Sequence, residues 1–168
     1  NRVYVQPRGL PEGQADIAIR GGLFESTGFR LGAVSLFDPQ TGHYVASLPI
    51  NPRRLSAAEI TTGLDHGLQA FNATVATVSY GFRPMTAGGS LTLGRGEYGL
   101  NYGALDVGTS QSLDRGDLFL GASLAGSKGD GTLPGGDHTF TRADLHGQWQ
   151  TADSQTDLLL GYQDLFYG

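Results

Sequence analysis

An arginine set among apolar residues is the first place to look for chemistry. The run Asp16-Ile17-Ala18-Ile19-Arg20 alternates and then stops at Gly21-Gly22. Alternation predicts a strand, and paired glycines predict a sharp turn or the close approach of another backbone. A guanidinium between apolar neighbours either reaches solvent or forms a buried ion pair, because burying it unpaired is costly. The second unusual place is the polar turn Asp38-Pro39-Gln40-Thr41-Gly42, fringed by Phe37, His43 and Tyr44. Of the four histidines, His43, His66, His138 and His146, no two share a metal-ligand spacing, so no metal site is expected.

Other signatures resolve into ordinary structure. Gly94-Arg95-Gly96-Glu97-Tyr98-Gly99 matches a dinucleotide fingerprint in letters. That fingerprint needs a helix to follow it, and Leu100-Asn101-Tyr102-Gly103 reads as a strand instead. Gly121-Ala122-Ser123-Leu124-Ala125 falls one residue short of a nucleophile elbow and lies inside an alternating run. Asp130 and Asp137 stand among glycines without the order of a calcium loop. No acid–base or nucleophile constellation emerges, so no enzyme and no cofactor are expected.

The elements that position these residues are mostly strands. The chain is 168 residues long, with 27 glycines, no cysteine, 16% charged residues and a formal net charge of −5. A glycine-rich, charge-poor chain of average hydrophobicity predicts turns and strands more than helices. Cysteine scaffolds are excluded, and no Lys/Arg cluster suits a nucleic acid. No apolar run approaches the ~20 residues of a membrane helix, which leaves a membrane β-barrel open. The chain starts and stops in strand-like runs, which reads as a fragment.

Strands are expected over 2–6, 16–20, 29–37 and 74–83. Asn51 followed by Pro52 predicts an N-capped helical turn, and Ser56-Ala57-Ala58-Glu59 repeats a capping-box spacing where a short helix could begin instead. Residues 64–72 could hold one helical turn. After Pro84 come five strand-length segments, 88–98, 100–112, 117–127, 138–150 and 156–167. Tight turns at 113–116 and 152–155 contrast with the polar loop 128–137. In the fourth segment Ala143, Leu145, Gly147 and Trp149 share one face, and Arg142, Asp144, His146 and Gln148 the other. Each segment is long enough to cross ~25–30 Å of hydrocarbon when tilted. A soluble antiparallel sheet with one face on a core has the same alternation. The asymmetry between short turns and a long loop favours the transmembrane barrel.

Taken in order, these runs resemble the plug domain of TonB-dependent outer-membrane receptors. The resemblance is carried by Asp16-Ile17-Ala18-Ile19-Arg20-Gly21-Gly22, by Phe29 to Val34 before Asp38-Pro39-Gln40-Thr41-Gly42-His43, by Leu48-Pro49-Ile50, and by Ala58-Glu59-Ile60-Thr61-Thr62-Gly63. The five later segments resemble the first barrel strands of the same family. The family's paired glycines near the end of the plug are missing from Phe71 to Tyr80. The fold class implied is mainly β: an α+β plug over 1–86, then antiparallel strands of an incomplete transmembrane β-barrel over 87–168.

The resemblance implies energised uptake of a scarce nutrient across a bacterial outer membrane. The cargo would be a ferric siderophore, haem, cobalamin or similar, and the strand layout leans towards a cobalamin-receptor-like cargo. The implied partners are TonB, through an N-terminal box upstream of this chain, outer-membrane lipid, and a small nutrient or metal-chelate ligand. Arg20, Gly21 and Gly22 would latch plug to barrel, with Arg20 locked by barrel-wall glutamates. Phe37, Asp38, Gln40, Thr41, His43 and Tyr44 would form an apical substrate loop. Hydrogen-bonding groups beside aromatic faces there suit a polar, partly aromatic ligand. Asp65 and His66 would belong to a second such loop. The alternative is a soluble or secreted all-β binding module or adhesin that uses 128–137 as its contact loop.

Overall fold

The computed structural model describes residues 2–7, 15–41, 47–68 and 73–168. The fold is mainly β, and its helical content is one α-turn and two 3-10 turns among the described residues. Two compact units divide the chain: Asn1–Leu48 with Leu55–Arg83, and Pro49–Arg54 with Pro84–Gly168.

In the first unit, β1 (Val3–Pro7) pairs antiparallel with β2 (Ala15–Ile19). A four-stranded sheet has the order β4-β3-β6-β5. Its strands are β3 (Thr27–Leu31), β4 (Val34–Leu36), β5 (Glu59–Thr62) and β6 (Ala76–Tyr80). The β3–β6 pair is parallel and the two edge pairs are antiparallel. Ile19, Phe29, Ala76 and Val78 form the core, with Ile17, Leu36, Ile60, Val75 and Tyr80 packed around it. Full burial of side chains such as Phe29 and Val78 stabilises by about 1.5–3 kcal/mol each.

Two expectations change here. The run expected over 29–37 is a hairpin, because Gly32 takes φ +56° and Leu31 pairs with Val34. A glycine at positive φ in the first central position is what a tight two-residue hairpin of the II′ kind requires. The capping-box helix at 56–59 is absent, since Glu59–Thr62 is a strand on β6 and Ile60 joins the core. Side-chain burial and β-branched Ile60, Thr61 and Thr62 outweigh a four-residue spacing. The expected α+β character of the N-terminal region therefore reduces to one turn, α1 (Leu64–Gly67).

The second unit is a meander of five antiparallel strands in the order β11-β10-β9-β8-β7. They are β7 (Gly88–Arg95), β8 (Asn101–Leu113), β9 (Gly116–Gly129), β10 (His138–Gln150) and β11 (Gln155–Tyr167). Among the described residues β7 and β11 each pair on one side only, so the sheet is open. Gly94 to Gly99 lies at the β7–β8 turn and leads into a strand.

The two faces of this sheet are chemically inverted. On β10, Asp144 and His146 are 3% and 2% exposed, whereas Leu145 between them is 56% exposed. The cross-strand register extends this contrast across the middle rows of the sheet, while buried Phe119 and Phe140 share the face of Asp144. Leu91, Leu105, Leu124, Ala143 and Tyr162 line one transverse row of the exposed face. Leu120 and Leu158 flank Gly147 on another row of that face. The opposite face carries Ser90, Asp106, Ser123, Asp144, His146 and Asp157. A water-soluble sheet with one face on a core puts its apolar face inside. This sheet does the reverse.

Candidate functional site

The polar face is covered in part by a short strap, Pro49–Arg54, that belongs to the same unit as the sheet. Asn51 starts its 3-10 turn Pro52–Arg54, and the Asn51 Oδ1 accepts from the Arg53 N–H at 3.0 Å. That is the N-cap expected from Asn51-Pro52, with the missing proline N–H falling where the turn has no use for it. The cap leaves the Arg54 side chain aimed at the sheet. The strap backbone comes close because Gly161 has no side chain: a Cβ there would lie 2.4 Å from the Pro49 carbonyl oxygen.

Arg54 is the centre of the seat. Its Nη1 lies 3.0 Å from Asp144 Oδ1 and its Nη2 lies 3.1 Å from Asp106 Oδ2. The Asn51 side-chain amide donates to Asp106 Oδ2 at 2.7 Å, and the Asn51 backbone N–H donates to Asp144 Oδ2 at 3.1 Å. The Ser123 hydroxyl donates to the same Asp144 oxygen, and Arg53 donates to the Ser90 hydroxyl. One buried guanidinium thus ties two carboxylates on β8 and β10 to the strap. Such a buried pair adds little net stability over apolar packing, but removal of one partner leaves an uncompensated charge.

A second network lies further along β10. Asp157 Oδ1 is 2.8 Å from His146 Nε2 and accepts from the Gln148 side-chain amide at 2.8 Å. Gln148 Oε1 accepts from the Met85 backbone N–H at 2.9 Å. Phe119 meets His146 edge to face, with ring centroids 6.4 Å apart. Asp144 and Gln148, on one face of one strand, therefore hold the strap and the chain leading into β7.

The residues singled out from sequence fall in the first unit. Arg20 is exposed, in the left-handed conformation at φ 54°, and its backbone N–H donates to the Arg2 carbonyl at 2.9 Å. Arg54 is a buried arginine with two carboxylates beside it. Gly21 has φ +80°, and a Cβ on Gly22 would lie 2.9 Å from a Val75 methyl, so this pair combines a turn with a close approach. Asp38 Oδ1 accepts from the backbone N–H of Gln40 at 2.7 Å and of Thr41 at 3.3 Å, an Asx turn beside half-exposed Phe37. His43 and Tyr44 lie outside the described residues.

Asp65 is exposed on α1, but His66 is 5% exposed and faces inward. Its Nδ1 is 2.7 Å from Thr77 Oγ1 and its Nε2 is 3.0 Å from the Ala73 carbonyl. Both ring nitrogens are occupied, so His66 pins the turn to β6. β4 and β5 run in the same direction at opposite edges of their sheet, so the Asp38 turn and α1 leave it at the same end.

Arg54 has a signal in the sequence. It is a cation between Ile50 and Leu55, followed later by alternating strands with Asp106 and Asp144 at polar-face positions. Among the described residues no three acidic or histidine side chains are grouped to hold a metal ion. No family model and no curated protein matches the chain.

Proposed function

We propose that the chain is part of a TonB-dependent outer-membrane receptor, with the plug over 1–86 and the first barrel strands over 87–168. Its role is energised uptake of a scarce nutrient such as a ferric siderophore, haem or cobalamin. The observation that carries this reading is the inverted sheet, with leucines outside and carboxylates, histidine and amides inside. Outer-membrane barrels present that pattern to lipid and lumen. The thirteen residues of β10 span about 43 Å at about 3.3 Å each, enough when tilted to cover a ~25–30 Å hydrocarbon layer.

In this reading the lumen-facing strap is fastened to the wall by Arg54, an ion lock additional to the latch expected of Arg20. The Asp38 turn and α1, emerging at one end of their sheet, are the cargo-facing loops. The test is fractionation of the parent protein. It is expected with outer membranes and with altered gel migration unless boiled. A soluble, heat-insensitive parent protein sinks the reading and favours the secreted binding module.

A further inference from the structure

We propose that the exposed apolar face of the sheet holds a phosphorylated lipid, with its phosphate between Arg95 and Lys128 and an acyl chain in the groove beside them. The proposal rests on the reading that this face meets lipid, and it adds the headgroup chemistry. Cross-strand register puts Arg95, Asn101, Lys128, Thr139 and Phe166 in one transverse row of that face. The neighbouring row is Leu93, Gly103, Gly126, Thr141 and Asp164. Its two adjacent glycines have no side chain to stand up from the sheet, so the row sinks at that point. Leu93, Leu105, Leu124 and Thr141 wall the groove that results.

The place of the two cations along the strands fits a headgroup. Leu118 to Lys128 covers about 33 Å of β9 at about 3.3 Å per residue. At a tilt of about 40° this becomes ~25 Å along the membrane normal, the height of the apolar band on an outer-membrane barrel. Leu118 and its cross-strand partner Trp149 then stand at one border of the band, and Arg95 and Lys128 at the other. The second border is the end that carries the longer loop 130–137, which such barrels turn outward. Arg95 and Lys128 are exposed, and neither pairs with a carboxylate among the described residues. They flank Asn101, so their backbones are two strand spacings apart, about 10 Å. Two long side chains close that gap around one phosphate. The Asn101 amide turns away and donates to the Gly99 carbonyl at 2.6 Å. Three carboxylates neighbour the pair without filling the gap. Asp130 is set over Gly99, where a Cβ would lie 2.4 Å from its Oδ2, Glu97 belongs to the same β7–β8 turn, and Asp164 is two strands along from Gly126. A guanidinium takes two phosphate oxygens and an ammonium adds a point charge. A free phosphate would gain nothing from a groove walled by leucines, which commits the site to a lipid.

The experiment titrates dimyristoyl phosphatidic acid into the parent protein in detergent micelles and follows the tightest-bound lipid by native mass spectrometry. Saturable retention of that lipid is expected. Arg95→Gln and Lys128→Gln should each weaken it about fivefold, and together roughly twenty-five-fold. Gly126→Leu fills the groove and leaves the charges alone, and it should weaken retention about tenfold. Arg115→Gln, in the β8–β9 turn at the opposite end of the strands, should leave it unchanged. Dimyristoylglycerol lacks the phosphate and inorganic phosphate lacks the chains, so neither should displace the probe. A folded parent protein that enters micelles but retains the probe equally in the Arg95, Lys128 and Gly126 variants, or loses it to inorganic phosphate, overturns this proposal and leaves the receptor reading standing. A parent protein that stays soluble without detergent or lipid overturns both.

Discussion

Arg54 Nη1 stands 3.0 Å from Asp144 Oδ1, and neither side chain is more than 1% exposed. Asp106, the second carboxylate on the same guanidinium, keeps 27% of its side chain exposed. The two carboxylates are therefore unequal partners: one depends on Arg54 for its charge balance, and the other also has solvent. That inequality predicts how the seat responds to substitution.

Arg54→Met should destabilise the second unit by roughly 3–5 kcal/mol, the cost of leaving a buried charge without its partner. Asp106→Asn should cost distinctly less, because solvent already shares its load. The double variant Arg54→Met/Asp144→Leu should recover most of the loss, since apolar groups of similar volume often replace a buried pair without penalty. Denaturant midpoints for the three variants check this. Equal losses for Asp106→Asn and Arg54→Met would remove the assignment of Asp144 as the dependent partner.

Gly161→Val should lift the strap, because any side chain there meets the Pro49 carbonyl. Displacement of the strap opens the bond from the Asn51 N–H to Asp144. Hydrogen exchange at the Asn51 amide should accelerate at least tenfold, while amides in the β8–β9 ladder keep their protection. Unchanged exchange at Asn51 would mean that the strap tolerates bulk at this position.

Leu145 and Asp144 are neighbours on opposite faces of β10, and they separate the lipid reading from the soluble one. Leu145→Arg should cost about 2–4 kcal/mol when the chain is folded into a bilayer, if the position lies near the midplane. In water the same change at a half-exposed site should cost little. Folding yields into lipid vesicles, compared with those of Leu145→Ala, measure the difference. An arginine accepted as readily as alanine in vesicles counts against lipid contact.

Much of this architecture was legible in the sequence, and the reasons are local. The five long strands announce themselves by period-two alternation, and the segment expected over 138–150 coincides with β10. Asn51-Pro52 foretold its capped turn because a side-chain oxygen and a fixed φ act within three residues. What stayed hidden depends on partners distant in sequence. Alternation divides Leu145 from Asp144 but cannot say which face is covered, since that depends on the strap 93 residues from Asp144 at Asn51. Apolar neighbours make Arg20 read as a buried cation, yet it stands at a strand end with positive φ and is exposed. Arg54 does not stand out locally because its carboxylates come from β8 and β10, and only the register brings them together. Gly32 hid a hairpin within an apolar run because one glycine weighs little against its neighbours until the pairing of Leu31 with Val34 is known.

Tyr80, at the end of β6 in the first unit, gives a pH test that involves no part of the polar sheet face. Burial raises its hydroxyl above the ordinary value of 10.0, since a phenolate loses hydration there. The folded chain then holds this proton to higher pH than the unfolded chain does. Between the two values the unfolded state binds fewer protons, so stability falls as pH rises. The contribution is complete below pH 10 and declines as the pH climbs towards the folded value. Tyr80→Phe should flatten the loss of first-unit stability above pH 10 and leave the slope near neutrality unchanged. The measurement is denaturant unfolding followed at amides of β3 and β6 across the alkaline range. An identical alkaline slope in the variant would assign that loss to other groups.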